Sequence, residues 1–377
     1  MAQHFEVLII GGGIAGLSAA TLFARDGFSV AVFEKESYPR HKVCGEYISR
    51  ESEPFLKDIG LETEGLPQIN RFLLSTTGGK TLSAQLPLGG FGLSRYAFDA
   101  VLSDCATRVG AQIFTQTKVE SVSRESEDGF EMYTTKGAFS GKIVLGSWGK
   151  KSNLDVQLQR SFLRKTDPVL DGWVGIKHHI CYAGHPEDLI ALHHFSGGYC
   201  GISRVEGDRL CLCYLVRGEA LRRAGNSIAQ LEETVLARNP FLKTIWREAE
   251  FLYPKPLAIS GISFQKRSAV TSGMLCLGDS AGLIPPLSGN GMSMAMHSAK
   301  MAFEAGSAFL KEEKSRTEME KTFTQNWNDH FRRRMHMGRL LQGRFGSEAL
   351  LSPVISVLNA LPFLKPAVIR STHGKAF

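Results

Sequence analysis

Gly11, Gly13 and Gly16 directly follow the apolar run Phe5 to Ile10 and open a stretch of small and apolar residues, Ile14 to Arg25. This order of buried strand, tight glycine turn and helix constrains the fold more than any other feature of the chain. The glycines permit a sharp turn, close approach of backbone to a pyrophosphate, and close packing of helix on strand. The helix start adds open N–H donors and partial positive charge. A second strand, Phe28 to Glu34, completes a βαβ start. Glu34 ends that strand 18 residues beyond Gly16, where a carboxylate accepts the hydroxyls of an adenosine ribose. The spacing predicts a dinucleotide-binding domain.

Which dinucleotide is decided far along the chain. The segment from Met274 to Ala302 carries Gly278-Asp279 at the end of a strand, then Pro286-x-x-Gly289-x-Gly291 opening a helix. An Asp there suits a ribityl hydroxyl, which FAD has and NAD lacks. A second helix start suits negative charge on the pyrimidine end of a reduced flavin. Two helix starts, one for each end of a long cofactor, predict FAD.

These segments, with Arg95-Tyr96-x-Phe98-Asp99-x-x-Leu102, resemble the flavoprotein superfamily of aromatic hydroxylases, flavin halogenases and geranylgeranyl reductases. Lys42-Val43-Cys44-Gly45-Glu46 is similar to the K-x-C-G-G segment of the geranylgeranyl reductase branch, and Ala281-Gly282 after Asp279 also matches that branch. The resemblance implies that FAD is held by Gly11, Gly13, Ala15, Gly16, Glu34, Lys35, Arg40, Cys44, Gly45, Arg95, Val119, Gly278, Asp279, Pro286, Gly289, Asn290, Gly291 and Met292. It implies catalytic positions at Cys44, Glu46 and Tyr199. The pattern departs in three places. Trp148 stands where hydroxylases carry the Asp of an Asp-Gly motif, the reductase Y-x-W-x-F-P segment survives only as Tyr199 to Arg204, and the halogenase W-x-W-x-I-P motif is absent.

The remaining residues set the architecture. The expected fold is α/β: a Rossmann-like FAD-binding domain (residues 1–65, 94–158 and 268–310) interrupted by an antiparallel-sheet substrate domain (66–93 and 159–267). A helical C-terminal cap (311–377) follows. Lys and Arg exceed Asp and Glu by 44 to 37, a formal charge of +7, yet no aromatic–basic interleaving or nucleic-acid motif accompanies the excess. Nucleic acid is therefore not expected as a partner. The basic residues Arg332, Arg333, Arg334 and Arg339 beside the apolar tail read either as a solvated face over a core stripe or as peripheral membrane contact, or a substrate-tunnel cap, through the C-terminal helices. Seven scattered cysteines with no C-x-x-C pair indicate neither a disulfide framework nor a zinc site. With an N-terminal apolar run too short for a signal peptide, a cytoplasmic setting is expected.

Two other chemistries fit short stretches of the chain. Gly278-Asp279-Ser280-Ala281-Gly282 matches the G-x-S-x-G of serine hydrolases, but the downstream Asp329 and His330 are adjacent on a helix and point about 100° apart. His178-His179 and His193-His194 suggest metal, but neighbours in a strand face opposite sides of a sheet, and no metal is expected. Cys211 and Cys213 share a strand face and suit packing. The expected function is an FAD-dependent oxidoreductase reducing a C=C bond of an apolar, prenyl- or polyketide-like substrate by hydride transfer from flavin N5, with the electron donor open between a transient NAD(P)H, a ferredoxin and a quinol. The alternatives are a monooxygenase acting on an aromatic or lipid-quinone precursor, and a catalytically decayed flavin-binding protein.

Overall fold

The computed structural model describes residues 2–124, 129–286, 289–344, 348–372 and 374–377. Leu287 and Ser288, inside the segment that carries the second helix start, lie outside the described residues. The chain forms two sheets, and the glycine turn lies at the end of the central strand of the first.

That first sheet runs in the order Val270–Thr271, Met274–Cys276, Gly137–Gly146, Gln3–Ile10, Val30–Phe33, Gln112–Phe114. Gln3–Ile10 pairs in parallel with both Val30–Phe33 and Gly137–Gly146. A parallel strand is covered on both faces, and the strict alternation of strand side chains divides its cover. Val7 and Ile9 face a cluster with the helices Ile14–Arg25, Arg95–Arg108 and Gly291–Leu310, whereas Leu8 and Ile10 join Phe33, Phe130 and Phe139 on the other side. Small residues let the helices close in: a side chain at Gly306 would meet the Phe23 ring at 2.8 Å.

The second sheet runs Glu250–Phe251, Trp173–Cys181, Leu210–Arg217, Gly198–Arg204, Leu189–Phe195, Gln68–Ser75, Thr81–Gly92, Tyr47–Ser49, with Leu257–Ile262 also pairing Trp173–Cys181. Its ladders are antiparallel except that Leu189–Phe195 runs parallel to Gln68–Ser75, a crossover that the expectation of an antiparallel sheet did not contain. The strand Tyr47–Ser49, close behind the Cys44 segment, pairs with Thr81–Gly92. The sheet's outer face packs Ile176, Ile180, Tyr214 and Val216 under the helices Ile228–Thr234 and Pro240–Glu248. Its inner face carries Gly175, Lys177 and His179 opposite Leu215, Cys213 and Cys211.

The C-terminal part is helical: Arg316–Arg344, Glu348–Ala360 and Lys365–Thr372. Met319, Phe323, Trp327, Phe331 and Met335 recur every four residues and bury one stripe of the first helix against the core of the FAD side. Leu351, Ile355 and Leu358 lay the second helix over Leu74, Leu82, Leu192, Tyr199 and Leu215. No helix among the described residues is long and apolar enough to cross a membrane.

Candidate active site

The glycine turn fits an anion. Gly13 is the N-cap of the helix Ile14–Arg25, no side chain caps it, and its first turn has no acidic residue, so the N–H groups there stay open. Gly11 sits at φ +102°, and a Cβ on it would lie 2.5 Å from the Ser147 carbonyl. Gly16 presses on the turn so closely that a Cβ would lie 2.1 Å from Gly11 O. Gly13 differs: a Cβ there would meet only Lys42 Nζ at 3.5 Å and Arg95 Nη2 at 3.6 Å. Two cations thus face an uncapped helix start.

One buried carboxylate arranges both. Asp99 accepts from Arg95 Nε and Nη2, each at 2.8 Å, and pairs with Lys42 Nζ at 2.8 Å. Burial pushes Asp99 up, but Arg95 and Lys42 outweigh it and hold the carboxyl below its usual range. Burial, joined by the Arg95 charge, pulls Lys42 down to about 8. Two cations against one carboxylate leave net positive charge in a low-dielectric site, which a pyrophosphate satisfies.

The other expected cofactor residues are distributed as follows. Glu34 Oε2 accepts from Gly12 N at 3.0 Å and pairs with Arg40 at 2.8 Å. Lys35 is exposed and takes no part in these contacts. Ala15 lies beside Gly278, whose Cβ position is 3.3 Å from the Cβ atoms of both Ala15 and Ala295, so the two helices meet at this turn. Asp279 is half-buried, and no described residue hydrogen-bonds its carboxylate, which leaves it open to a hydroxyl. Gly289 needs its φ of +66°. Asn290 caps the helix Gly291–Leu310 without a side-chain bond to it, and Met292 is buried while Pro286 is exposed. Val119 packs in the core with Phe5 and Phe33. Ser280, fully buried, donates to the Gly146 and Leu277 carbonyls, an arrangement unlike a nucleophile's. Trp148 donates to Asp155 at 3.0 Å, and Asp155 pairs with Arg160, which donates to Ser280 O. That residue braces the Asp279 turn.

The segment Val43-Cys44-Gly45 lies on the inner face of the second sheet. Its three carbonyls accept from Lys150 Nζ at 2.9 Å, Cys211 Sγ at 3.2 Å and Ser203 Oγ at 3.3 Å. Glu46 follows at φ +56°, a left-handed conformation rare for a residue with a side chain. The strain places a fully buried carboxylate where Oε1 accepts from Arg95 N at 2.8 Å and Lys177 Nζ at 2.5 Å, and Oε2 meets His179 Nε2 at 2.6 Å. Burial raises the Glu46 carboxyl, but the His179 hydrogen bond and the Lys177 charge hold it below its usual range. Burial works against the Lys177 charge, and the neighbouring Cys211 and Glu46 more than offset it.

Glu46, His179 and Cys211 also present donor atoms within 4.8 Å of one another. The Lys177 ammonium already neutralises Glu46 there, and burial raises the Cys211 thiol well above its usual value, which opposes the thiolate a metal needs. His178 points the other way, to Glu232 at 2.7 Å, and His193 bonds Ser75 at 2.8 Å.

Tyr199 does not join Cys44 and Glu46. It lies four residues from Ser203 along its strand, about 13 Å by strand rise, buried among Leu192 and Leu215 with its hydroxyl 3.3 Å from Gln342 Oε1. No motif in the sequence marks a role for Lys177, and His178-His179 entered only as an unsupported metal pair. The available signal was a lysine two residues before a histidine in an otherwise apolar strand, because a buried lysine demands a partner.

The NAD(P)-binding Rossmann-like domain family matches residues 9–43. Conditioned medium factor receptor 1 of Dictyostelium discoideum is 24% identical over 79% of this chain and 62% of its own length. Tryptophan 2-halogenase of Chondromyces crocatus is 23% identical over 87% of this chain and 66% of its own. The chain thus spans somewhat under two thirds of both relatives. Digeranylgeranylglycerophospholipid reductase of Methanocaldococcus jannaschii is 24% identical over 86% of this chain and 82% of its own. Among solved structures, the flavin-dependent brominase Bmp2 superposes with TM-score 0.81 at 18% identity, covering 100% of this chain and 94% of that one. A geranylgeranyl bacteriochlorophyll reductase-like protein from Thermoplasma acidophilum gives 0.79 at 17%, covering 95% and 92%. A mutant of halogenase PltM in complex with FAD gives 0.74 at 14%, covering 97% and 82%. Cradle, fold and relatives agree that the cofactor is FAD and that the chain has the Rossmann-like FAD-binding fold, similar to that of geranylgeranyl reductases and flavin-dependent halogenases.

Proposed function

We propose that this chain is an FAD-dependent oxidoreductase that reduces a carbon–carbon double bond of an apolar substrate. The observation that carries this reading is the division of the second sheet's inner face. Its Tyr199 end is apolar, while its other end holds Lys177 and His179 against Glu46. Bound FAD supplies a hydride for one alkene carbon, its two electrons having come from NAD(P)H or another reductant. The chain's residues do the rest. Lys42, Arg95 and the helix start at Gly13 hold the pyrophosphate, Glu34 the adenosine ribose and Asp279 a ribityl hydroxyl. Leu192, Tyr199 and Leu215, packed under the helix Glu348–Ala360, keep water from that end of the sheet. The Cys44 thiol gives the second alkene carbon its proton, and the Glu46 group behind the loop fixes its position.

Photoreduced, FAD-loaded protein mixed with oxygenated buffer in a stopped-flow spectrometer tests the reaction type. Slow reoxidation in a single spectral phase is expected. A distinct transient spectrum before the oxidised one would replace this reading with an oxygen-using one, which the full-length likeness to a brominase favours.

An apolar substrate also needs a route to the site. Leu350, Val354, Val357 and Leu361 follow helical spacing along one face of Glu348–Ala360 and its end, each about half exposed, and Phe363 is 72% exposed. Residues 332–377 hold eight Lys and Arg against one acidic residue, Glu348. We infer that this face rests on an anionic bilayer. Sedimentation with phosphatidylserine-containing vesicles is expected to capture the protein, and Val354→Glu with Phe363→Glu to release it. Equal capture by neutral vesicles would remove the charge argument.

A further inference from the structure

A cavity of about 160 Å³ opens beside the Glu46 cluster, lined by His41, Lys177, His179, Tyr253 and Lys255. Its floor is buried, since Lys177 and His179 are each 2% exposed, while Tyr253 and Lys255 stand at an exposed rim. Among the described residues no carboxylate lines it. Glu46 lies behind the floor and is already shared by Lys177, His179 and the Arg95 N–H. Lys177 needs one of its three protons for that pair and keeps two. Lys255 has no carboxylate partner among the described residues. The wall is fixed: the His41 ring stacks on Tyr96 at 4.6 Å, and Tyr253 Oη lies 3.1 Å from His41 Nε2. His41 Nδ1 is buried and meets no hydrogen-bond partner among the described residues.

Basic groups crowded around an empty volume repel one another unless an anion joins them, and an unpartnered ring nitrogen at the wall is a cost that a ligand removes. We propose that this cavity is an oxyanion-binding site that receives the phosphate or carboxylate group of a small molecule, with Lys177 and His179 as its floor and His41, Tyr253 and Lys255 as its clamp. Its basic groups are not those of the cradle at Gly13, where Lys42 and Arg95 are tied to Asp99. It stands whether the flavin reduces an alkene or not.

Calorimetric titration of FAD-loaded protein, whose cradle is filled, with inorganic phosphate and separately with acetate tests the proposal. Millimolar binding of at least one anion is expected. Lys255→Gln and His41→Leu are each expected to weaken it about tenfold, the loss of one charge-assisted hydrogen bond. Lys365→Gln, on the C-terminal helices, is expected to leave it unchanged. Binding of phosphate alone assigns a phosphate ester, and acetate binding as tight as phosphate assigns a carboxylate. No binding of either anion, or wild-type affinity in both cavity variants, overturns the proposal.

Discussion

The cofactor cradle and the Glu46 cluster solve the same electrostatic problem in different ways. Each ties two basic side chains to one fully buried carboxylate: Lys42 and Arg95 to Asp99, Lys177 and His179 to Glu46. In the cradle, Arg95 and Asp99 are one helical turn apart, so the local backbone brings them together. In the cluster the partners are 131 and 133 residues apart and meet only because the second sheet docks on the Cys44 loop. The helical pairing in the cradle leaves a site that a cofactor completes, whereas the distant pairing ties the Cys44 loop to the strand Trp173–Cys181.

The largest expected effect breaks the distant pairing. Glu46→Ala leaves a buried ammonium and a backbone N–H without their acceptor and is expected to cost about 3–5 kcal/mol, read by urea unfolding of FAD-loaded protein. Loss under 1 kcal/mol would show that water replaces the carboxylate and that the two regions differ less than their geometry says.

Gly13→Val is the converse test. Gly13 lies at φ −93° and a Cβ has room, so the FAD-free protein is expected to keep its stability. The side chain fills the anion's place, and FAD affinity is expected to fall at least about a hundredfold, roughly 2.7 kcal/mol, by fluorescence titration. Retained affinity would remove the cradle from the cofactor site.

The comparison sharpens with pH. Burial and Arg95 hold Lys42 at about 8 in the FAD-free protein. A pyrophosphate favours the protonated form, so binding is proton-neutral below that value and takes up a proton above it. Affinity is therefore expected to fall as pH rises through about 8, by up to about tenfold per unit. Lys42→Gln is expected to flatten that profile, and a wild-type profile flat from pH 7 to about 9.5 would show that Lys42 does not face the anion.

The smallest effect concerns Tyr199. Tyr199→Phe removes one hydrogen bond to Gln342 and keeps the ring among Leu192 and Leu215, so a loss of about 0.5–1.5 kcal/mol is expected, with turnover reduced only in proportion to folded protein. A drop in kcat beyond that would restore Tyr199 to the chemistry.

Legibility followed the same division. The cradle was readable because the glycine spacing and the Arg95–Asp99 motif each act over a few residues, and Glu34 ends the next strand of the same βαβ start. Arg40 and Ala15 fell close to it for the same reason. Trp148 looked like a loss at an expected Asp position, and its bond to Asp155 shows a brace that only the fold supplies.

The sequence by itself determined the βαβ start, the second helix start near Gly291 and a flavin as the cofactor, because turn sterics and helix dipoles depend on neighbours in the chain. Only the tertiary structure decided that Lys177 and His179 meet Glu46, that Tyr199 stands apart, and that basic groups surround a cavity behind His41. Buried charges find their partners by proximity in space, and strand alternation fixes a side chain's face without saying what will pack against it.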